Sequence, residues 1–127
     1  MDVELQQRRL QLLKDFAAAW NRHDLSALSA AMTDDCVFHG AAGELVCGSQ
    51  FRGREAVAEG YAKLFTAYPD AAWNEDTHFV VGDRGVSEWR FTGTGPDGER
   101  VEMLGCDLFR FEGDRISLKD SYRKQRT

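Results

Sequence analysis

Cysteine is scarce in this chain and poorly spaced for chemistry. Cys36, Cys47 and Cys106 are odd in number and form no Cys-x-x-Cys pair, so neither a disulfide framework nor a zinc knuckle is indicated, and a reducing, cytoplasmic setting is expected. Basic charge is also short: 16 Lys and Arg stand against 21 Asp and Glu, a formal net charge of -5. A nucleic-acid or acidic-membrane partner needs a basic footprint that releases counterions, and neither is expected here. No apolar run approaches a membrane span, and the opening MDVELQQRRL lacks the apolar core of a signal peptide. The three histidines, His23, His39 and His78, lie far apart and in no helical ligand spacing, so no metal is expected. Without internal repeats or a linker, residues 1–127 read as one domain.

What is present divides in two. Leu13, Phe16, Ala17 and Trp20 recur at helical spacing and define one face of a first helix that ends near the NRHD stretch. Asp24 then reads as the N-cap of a short second helix carrying Leu25, Leu28 and Met32. A brief strand, DDCVFH, precedes a loop rich in Gly and Ala. From Gly53 a third helix places Val57, Tyr61, Leu64, Phe65 and Tyr68 on one side until Pro69 stops it. Beyond that, alternating segments broken by GDRG, GPDG and EGDR predict a four-stranded antiparallel meander, hence an α+β fold in which one sheet curls around a few helices.

Turn chemistry fixes a register. In GTGPDGER, a Pro-Asp-Gly turn completed by a left-handed Gly98 pairs Gly95 with Glu99. Counting back sets Phe91 opposite Met103, Trp89 opposite Gly105 and Ser87 opposite Asp107, with Gly105 leaving room for the Trp89 ring. In FEGDRI, a two-residue Gly113-Asp114 turn pairs Phe111 with Ile116, then Phe109 with Leu118, then Asp107 with Asp120. Two carboxylates on one apolar wall repel, and a shared site drives one of them toward the neutral acid, which can donate a hydrogen bond. The opposite faces carry Glu88, Arg90, Leu104, Cys106, Leu108, Arg110, Lys119, Ser121 and Arg123. Their apolar centre and charged rim suit a homodimer interface.

Three stretches carry a family resemblance: AAWNRHDLSALSAAMTDDCVFHG, FRGREAVAEGYAKLFTAYPD and GCDLFRFEGDRI. Together they resemble the SnoaL-like branch of the nuclear transport factor two superfamily, which includes ketosteroid isomerases, limonene epoxide hydrolase and scytalone dehydratase. The resemblance implies a cone-shaped α+β barrel, a curved antiparallel sheet wrapping three helices around a deep apolar pocket, usually in a homodimer. CDLFRF resembles the isomerase strand whose aspartic acid donates to the developing enolate, which gives Asp107 that role. The isomerase's general base has no counterpart, since Gly40 occupies its aligned place. Asp120 or His39 is the candidate base instead, and Trp20, Tyr61, Trp89, Met103 and Phe109 are the candidate ligand-lining residues.

The expectation is a small enzyme without cofactor that transfers a proton next to a carbonyl of an apolar or polycyclic molecule, as isomerase, cyclase or dehydratase. The competing expectation is a homodimeric module that binds a hydrophobic ligand without turnover. Epoxide hydrolysis requires an arginine between two pocket carboxylates, whereas Arg90 and Arg110 are expected to face outward.

Overall fold

The computed structural model describes residues 2–127. Helix α1 (Val3–Asn21) is capped by the Asp2 carboxylate, which accepts from the Leu5 amide, and it buries Arg9, Leu13, Phe16, Ala19 and Trp20. Helix α2 (Leu25–Ala30) starts at Asp24, whose side chain accepts from the Ala27 amide, as the sequence predicts. Strands β1 (Met32–Leu45) and β2 (Gly48–Arg52) precede α3 (Arg54–Ala67), and β3 (Ala72–Val81), β4 (Arg84–Thr94), β5 (Arg100–Glu112) and β6 (Arg115–Arg123) complete the chain.

The Gly- and Ala-rich stretch expected as a loop is a hairpin. Strand β1 runs on to Leu45 and turns back through Gly48, whose positive φ of 91° and contact with the Gly40 carbonyl leave no room for a side chain. The six strands lie in the order β2-β1-β6-β5-β4-β3. All neighbours are antiparallel except β1 and β6, which are parallel because the whole meander intervenes before β6 returns beside β1. The sheet is therefore mixed rather than purely antiparallel, and it stays open between its β2 and β3 edges.

The helices fill the concave side. Leu13, Phe16 and Trp20 from α1, Leu28 from α2 and Val57 and Tyr61 from α3 meet Trp73, Trp89, Phe91, Phe109, Phe111 and Ile116 of the sheet in one buried core. Trp20 is its hub, with ring centroids of Tyr61 at 4.5 Å, Trp73 at 4.9 Å and Phe65 at 5.2 Å.

The β4–β5 register is the predicted one: Ser87 faces Asp107, Trp89 faces Gly105 and Phe91 faces Met103. The β5–β6 register is not. Phe111 pairs with Ile116 as expected, but Arg110 then pairs with Leu118, so Ser117 is an extra, unpaired residue. This β-bulge exchanges the faces of every later residue in β6. Phe109 meets Lys119 instead of Leu118, and Asp107 meets Ser121 instead of Asp120. The expected Asp107–Asp120 dyad does not exist. Lys119, Ser121 and Arg123, expected on the outer face, turn inward, while Asp120, opposite Leu108, turns outward. A second bulge sits in β3, where Asn74 pairs with Arg90 and Thr77 with Glu88, leaving both Glu75 and Asp76 opposite Trp89. Glu75 holds a φ of 56° there, and the shift turns Asp76 and His78 toward the concave side.

Candidate active site

The two bulges assemble a polar cluster within an aromatic core. Lys119 is the centre: its Nζ is 3.1 Å from Asp107 Oδ1 and donates to Ser121 Oγ at 2.7 Å. Ser121 Oγ in turn donates to Asp107 Oδ1 at 2.6 Å, and Trp89 Nε1 donates to Asp107 Oδ2 at 3.0 Å. Both Asp107 oxygens therefore act as acceptors. This is the setting of a carboxylate beside an ammonium, in place of the hydrogen-bond donor that two facing carboxylates would have required.

Aromatic rings enclose the same ammonium. Lys119 Nζ lies 4.8 Å from the ring centroids of both Trp20 and Phe38 and 5.7 Å from that of Tyr61. Burial pushes the Lys119 pKa down and the nearby Arg123 charge adds to this, while Asp107 opposes it. The net direction is downward, so the amine form is reached at lower pH than for an exposed lysine.

Lys119 borders two spaces. The larger is an open pocket of about 290 Å³ at the mouth of the cone, between the β1–β2 hairpin, α3 and the sheet; Phe38, Phe51, Leu64, Trp89 and Phe91 line it, with Lys119, Ser121 and Arg123 as polar groups along one wall. The smaller, about 20 Å³, lies deeper, bordered by Phe16, Trp20, Asp76, Ser87, Asp107 and Lys119 among others. A still larger hollow of about 480 Å³ lies around Glu75, Glu88, Arg90, Leu104 and Tyr122, but none of its charged side chains is buried.

The residues named from sequence are distributed as follows. Trp89 borders both the mouth and the deep cavity, whereas Trp20 and Phe109 border only the deep one. Tyr61 is sunk in the core, its hydroxyl 3.1 Å from Met32 Sδ, and burial raises its pKa well above that of a free phenol. Met103 borders neither space. His39 and Asp120 are brought together, Nδ1 to Oδ1 at 3.8 Å, but with Tyr122 and Gln50 on the convex face. They do not meet Asp107. Arg90 also points outward, paired with Glu75 at 2.7 Å. Sequence reasoning missed Lys119, Ser121 and Arg123, and also a hydrogen-bonded chain in which His78 joins Asp76 (Nε2 to Oδ2, 2.6 Å) to Ser87 (Nδ1 to Oγ, 2.7 Å). No signal in β6 marked Lys119 as inward-facing, because its RISLKDSYR stretch mixes polar and apolar residues throughout. Among the described residues no three His, Cys, Asp or Glu side chains gather as a metal site would need.

A cone of six strands around three helices, open at one end, belongs to the nuclear transport factor two-like, cystatin-like architecture. Within it, the chain belongs to the SnoaL-like domain family, whose model matches residues 13–118. The structure is similar to a proposed polyketide cyclase from Xanthomonas campestris pv. campestris, with a TM-score of 0.82 and 21% identity over 94% of this chain and 92% of that one. A similar protein of unknown function from Mesorhizobium loti shares 23% identity over 98% of both chains at a TM-score of 0.80. Another, from Catenulispora acidiphila, has a ketosteroid isomerase-like fold and was solved with trimethylamine; it shares 20% identity over 87% of this chain and 83% of that one, at a TM-score of 0.77. At these identities the likeness concerns the fold alone. No curated protein matches the sequence.

Proposed function

We propose that this SnoaL-like protein is an acid–base enzyme that works without a cofactor on an apolar carbonyl compound, moving a proton next to the carbonyl as an isomerase, cyclase or dehydratase does. The observation that carries the reading is Lys119, a buried amine at the wall of an aromatic pocket, backed by Asp107 and Ser121. A volume of about 290 Å³ lies near the lower end of small-molecule sites, roughly 300–1,000 Å³, and suits one or two rings.

In this reading the amine form of Lys119 takes the α-proton while the C–H electron pair becomes the C=C bond of an enolate. Arg123, a permanent cation on the same wall, stabilises the developing oxyanion. Lys119 then returns the proton to a different carbon or to a leaving oxygen. Asp107 acts through Lys119, holding the amine in place and balancing its charge once protonated, and Trp89 packs the substrate ring. His39 and Asp120 have no part in this chemistry, because they lie across the sheet from the pocket.

The test is hydrogen–deuterium exchange at the α-carbon of cyclic ketones and enones. Exchange that falls by about 10²- to 10⁴-fold in Lys119→Met, the usual contribution of one acid–base group, supports the enzyme. Binding of the same ketones to the wild type with no exchange overturns it.

A second reading, a homodimeric carrier of an apolar ligand, draws on the convex face. There Phe79 is 52%, Leu104 49% and Tyr122 51% exposed, more apolar surface than a solvated sheet usually presents.

A further inference from the structure

The Asp76–His78–Ser87 chain plays no part in the chemistry above, and it is not idle packing. His78 is almost fully enclosed, its side chain 4% exposed, whereas Asp76 at one end is 40% exposed. Ser87, at the other end, is buried directly opposite Asp107 across β4 and β5. The order Ser-His-Asp is that of a nucleophile and its base, but Ser87 borders a cavity of only about 20 Å³, which admits no acyl group. It does admit a water, for which about 10–15 Å³ suffices where two or more polar partners are present. Asp76, Ser87, Asp107 and Lys119 all border it, and so does Trp20, whose buried indole N–H has no partner among the described residues.

The geometry points to a proton relay that connects the buried Lys119–Asp107 pair to solvent from behind, through a water in this cavity, Ser87, His78 and Asp76. It rests on the proposed acid–base role of Lys119 and extends it. With His78 carrying its proton on Nε2, that proton is donated to Asp76 and Nδ1 accepts from the Ser87 hydroxyl. A proton leaving Lys119 passes to the water, which hands one of its own to Ser87 Oγ. Ser87 passes its hydroxyl proton to His78 Nδ1, and His78 releases the Nε2 proton to the Asp76 carboxylate, which exchanges it with bulk water. Passage of a solvent proton in the reverse direction restores every group. No bond other than those to hydrogen is made or broken. The route lets the proton on Lys119 exchange while a ligand fills the mouth pocket, so a proton taken from carbon is replaced by one from solvent before Lys119 returns it.

The test reads the relay without any substrate. Solvent exchange of the Lys119 ammonium protons is followed by nitrogen-15 NMR in the wild type, in His78→Gln, which keeps hydrogen bonding but cannot pass a proton, and in Asp76→Asn, a change at a half-exposed site that leaves the core intact. Exchange at least tenfold slower in both variants, or an ammonium signal that emerges only in them, supports the relay. Equal rates in all three proteins, or a signal absent from all three, overturn it. The α-carbon assay is independent of this result: if ketones show no exchange while the ammonium protons respond to His78→Gln, the enzyme reading falls and the relay stands.

Discussion

Lys119 Nζ and Asp107 Oδ1 lie 3.1 Å apart, each side chain less than a tenth exposed, on neighbouring strands in a core whose aromatic rings enclose the ammonium. Two opposite charges in such a place are interdependent. The attraction repays the desolvation of each only while both are present, and removing one partner leaves the other buried and unpaired.

Single substitutions at this pair should therefore be much worse than the double one. Lys119→Met and Asp107→Asn are each expected to lower stability by about 3–5 kcal/mol, the range for breaking a buried pair. The double variant should recover a large part of the loss, and a double-mutant cycle from urea melts would measure the coupling. Losses that simply add would mean that the two charges do not depend on each other.

Stability should also follow the Lys119 titration. Its folded pKa is lowered by burial from the ordinary lysine value of 10.5, so between the lowered value and 10.5 the unfolded chain binds more protons than the folded one. The sign is positive: stability from this group rises with pH through that window, and the penalty for burying the ammonium is fully present below it. Wild type minus Lys119→Met, which cancels the titrating groups that do not touch Lys119, should drift in favour of the wild type as urea melts move from pH 7 to pH 10.

Gly105 should tolerate no side chain. A Cβ there would stand 2.5 Å from both Trp89 Cη2 and the Tyr122 carbonyl, and the strand backbone cannot retreat from its two neighbours. Gly105→Ala is expected to destabilise by about 1–3 kcal/mol, as overpacking does, and to displace the Trp89 indole from Asp107. A thermal melt and the Trp89 indole N–H resonance report the two effects separately.

Arg9 joins two turns from α1. It donates to the Gly82 carbonyl at 2.8 Å and the Gly113 carbonyl at 3.0 Å while covering the Phe111 ring at 5.4 Å. Arg9→Ala should lose about 1.5–3 kcal/mol, the worth of hydrogen bonds to a charged group plus packing. Arg9→Lys should not restore it, because an ammonium lacks the planar fork that spans both carbonyls. Denaturant midpoints of the three proteins decide this.

The convex face gives a test of assembly. If Phe79 and Leu104 lie between two copies, Phe79→Lys combined with Leu104→Glu should convert a dimer to a monomer in sedimentation while leaving the spectroscopic fold intact. A wild type that sediments as a monomer at high concentration removes the homodimer.

Much of this architecture is written locally in the chain. The spacing of Leu13, Phe16 and Trp20 gives the buried face of α1, Asp24 gives the start of α2, and the Pro-Asp-Gly turn gives the β4–β5 register down to Trp89 resting over Gly105. These follow from helical period, cap chemistry and turn geometry, each decided by residues a few positions apart. The site was decided elsewhere. Strand alternation has a period of two, so a single extra residue reverses every later side chain, and nothing in the Arg115-Ile116-Ser117 stretch or in the AWNEDTHF run of β3 marks where Ser117 or Glu75 must be accommodated. Only the packed sheet, with Ile116 held against the core before Ser117 and Phe38 and Trp20 waiting to enclose an ammonium after it, brought Lys119 inside to meet Asp107 and sent Asp120 out to His39. Sequence determined how the meander strands β3 to β6 pair; tertiary packing brought β1 beside β6 and determined which side of each strand does the chemistry, because the bulges that set it are stabilised by contacts distant in the chain.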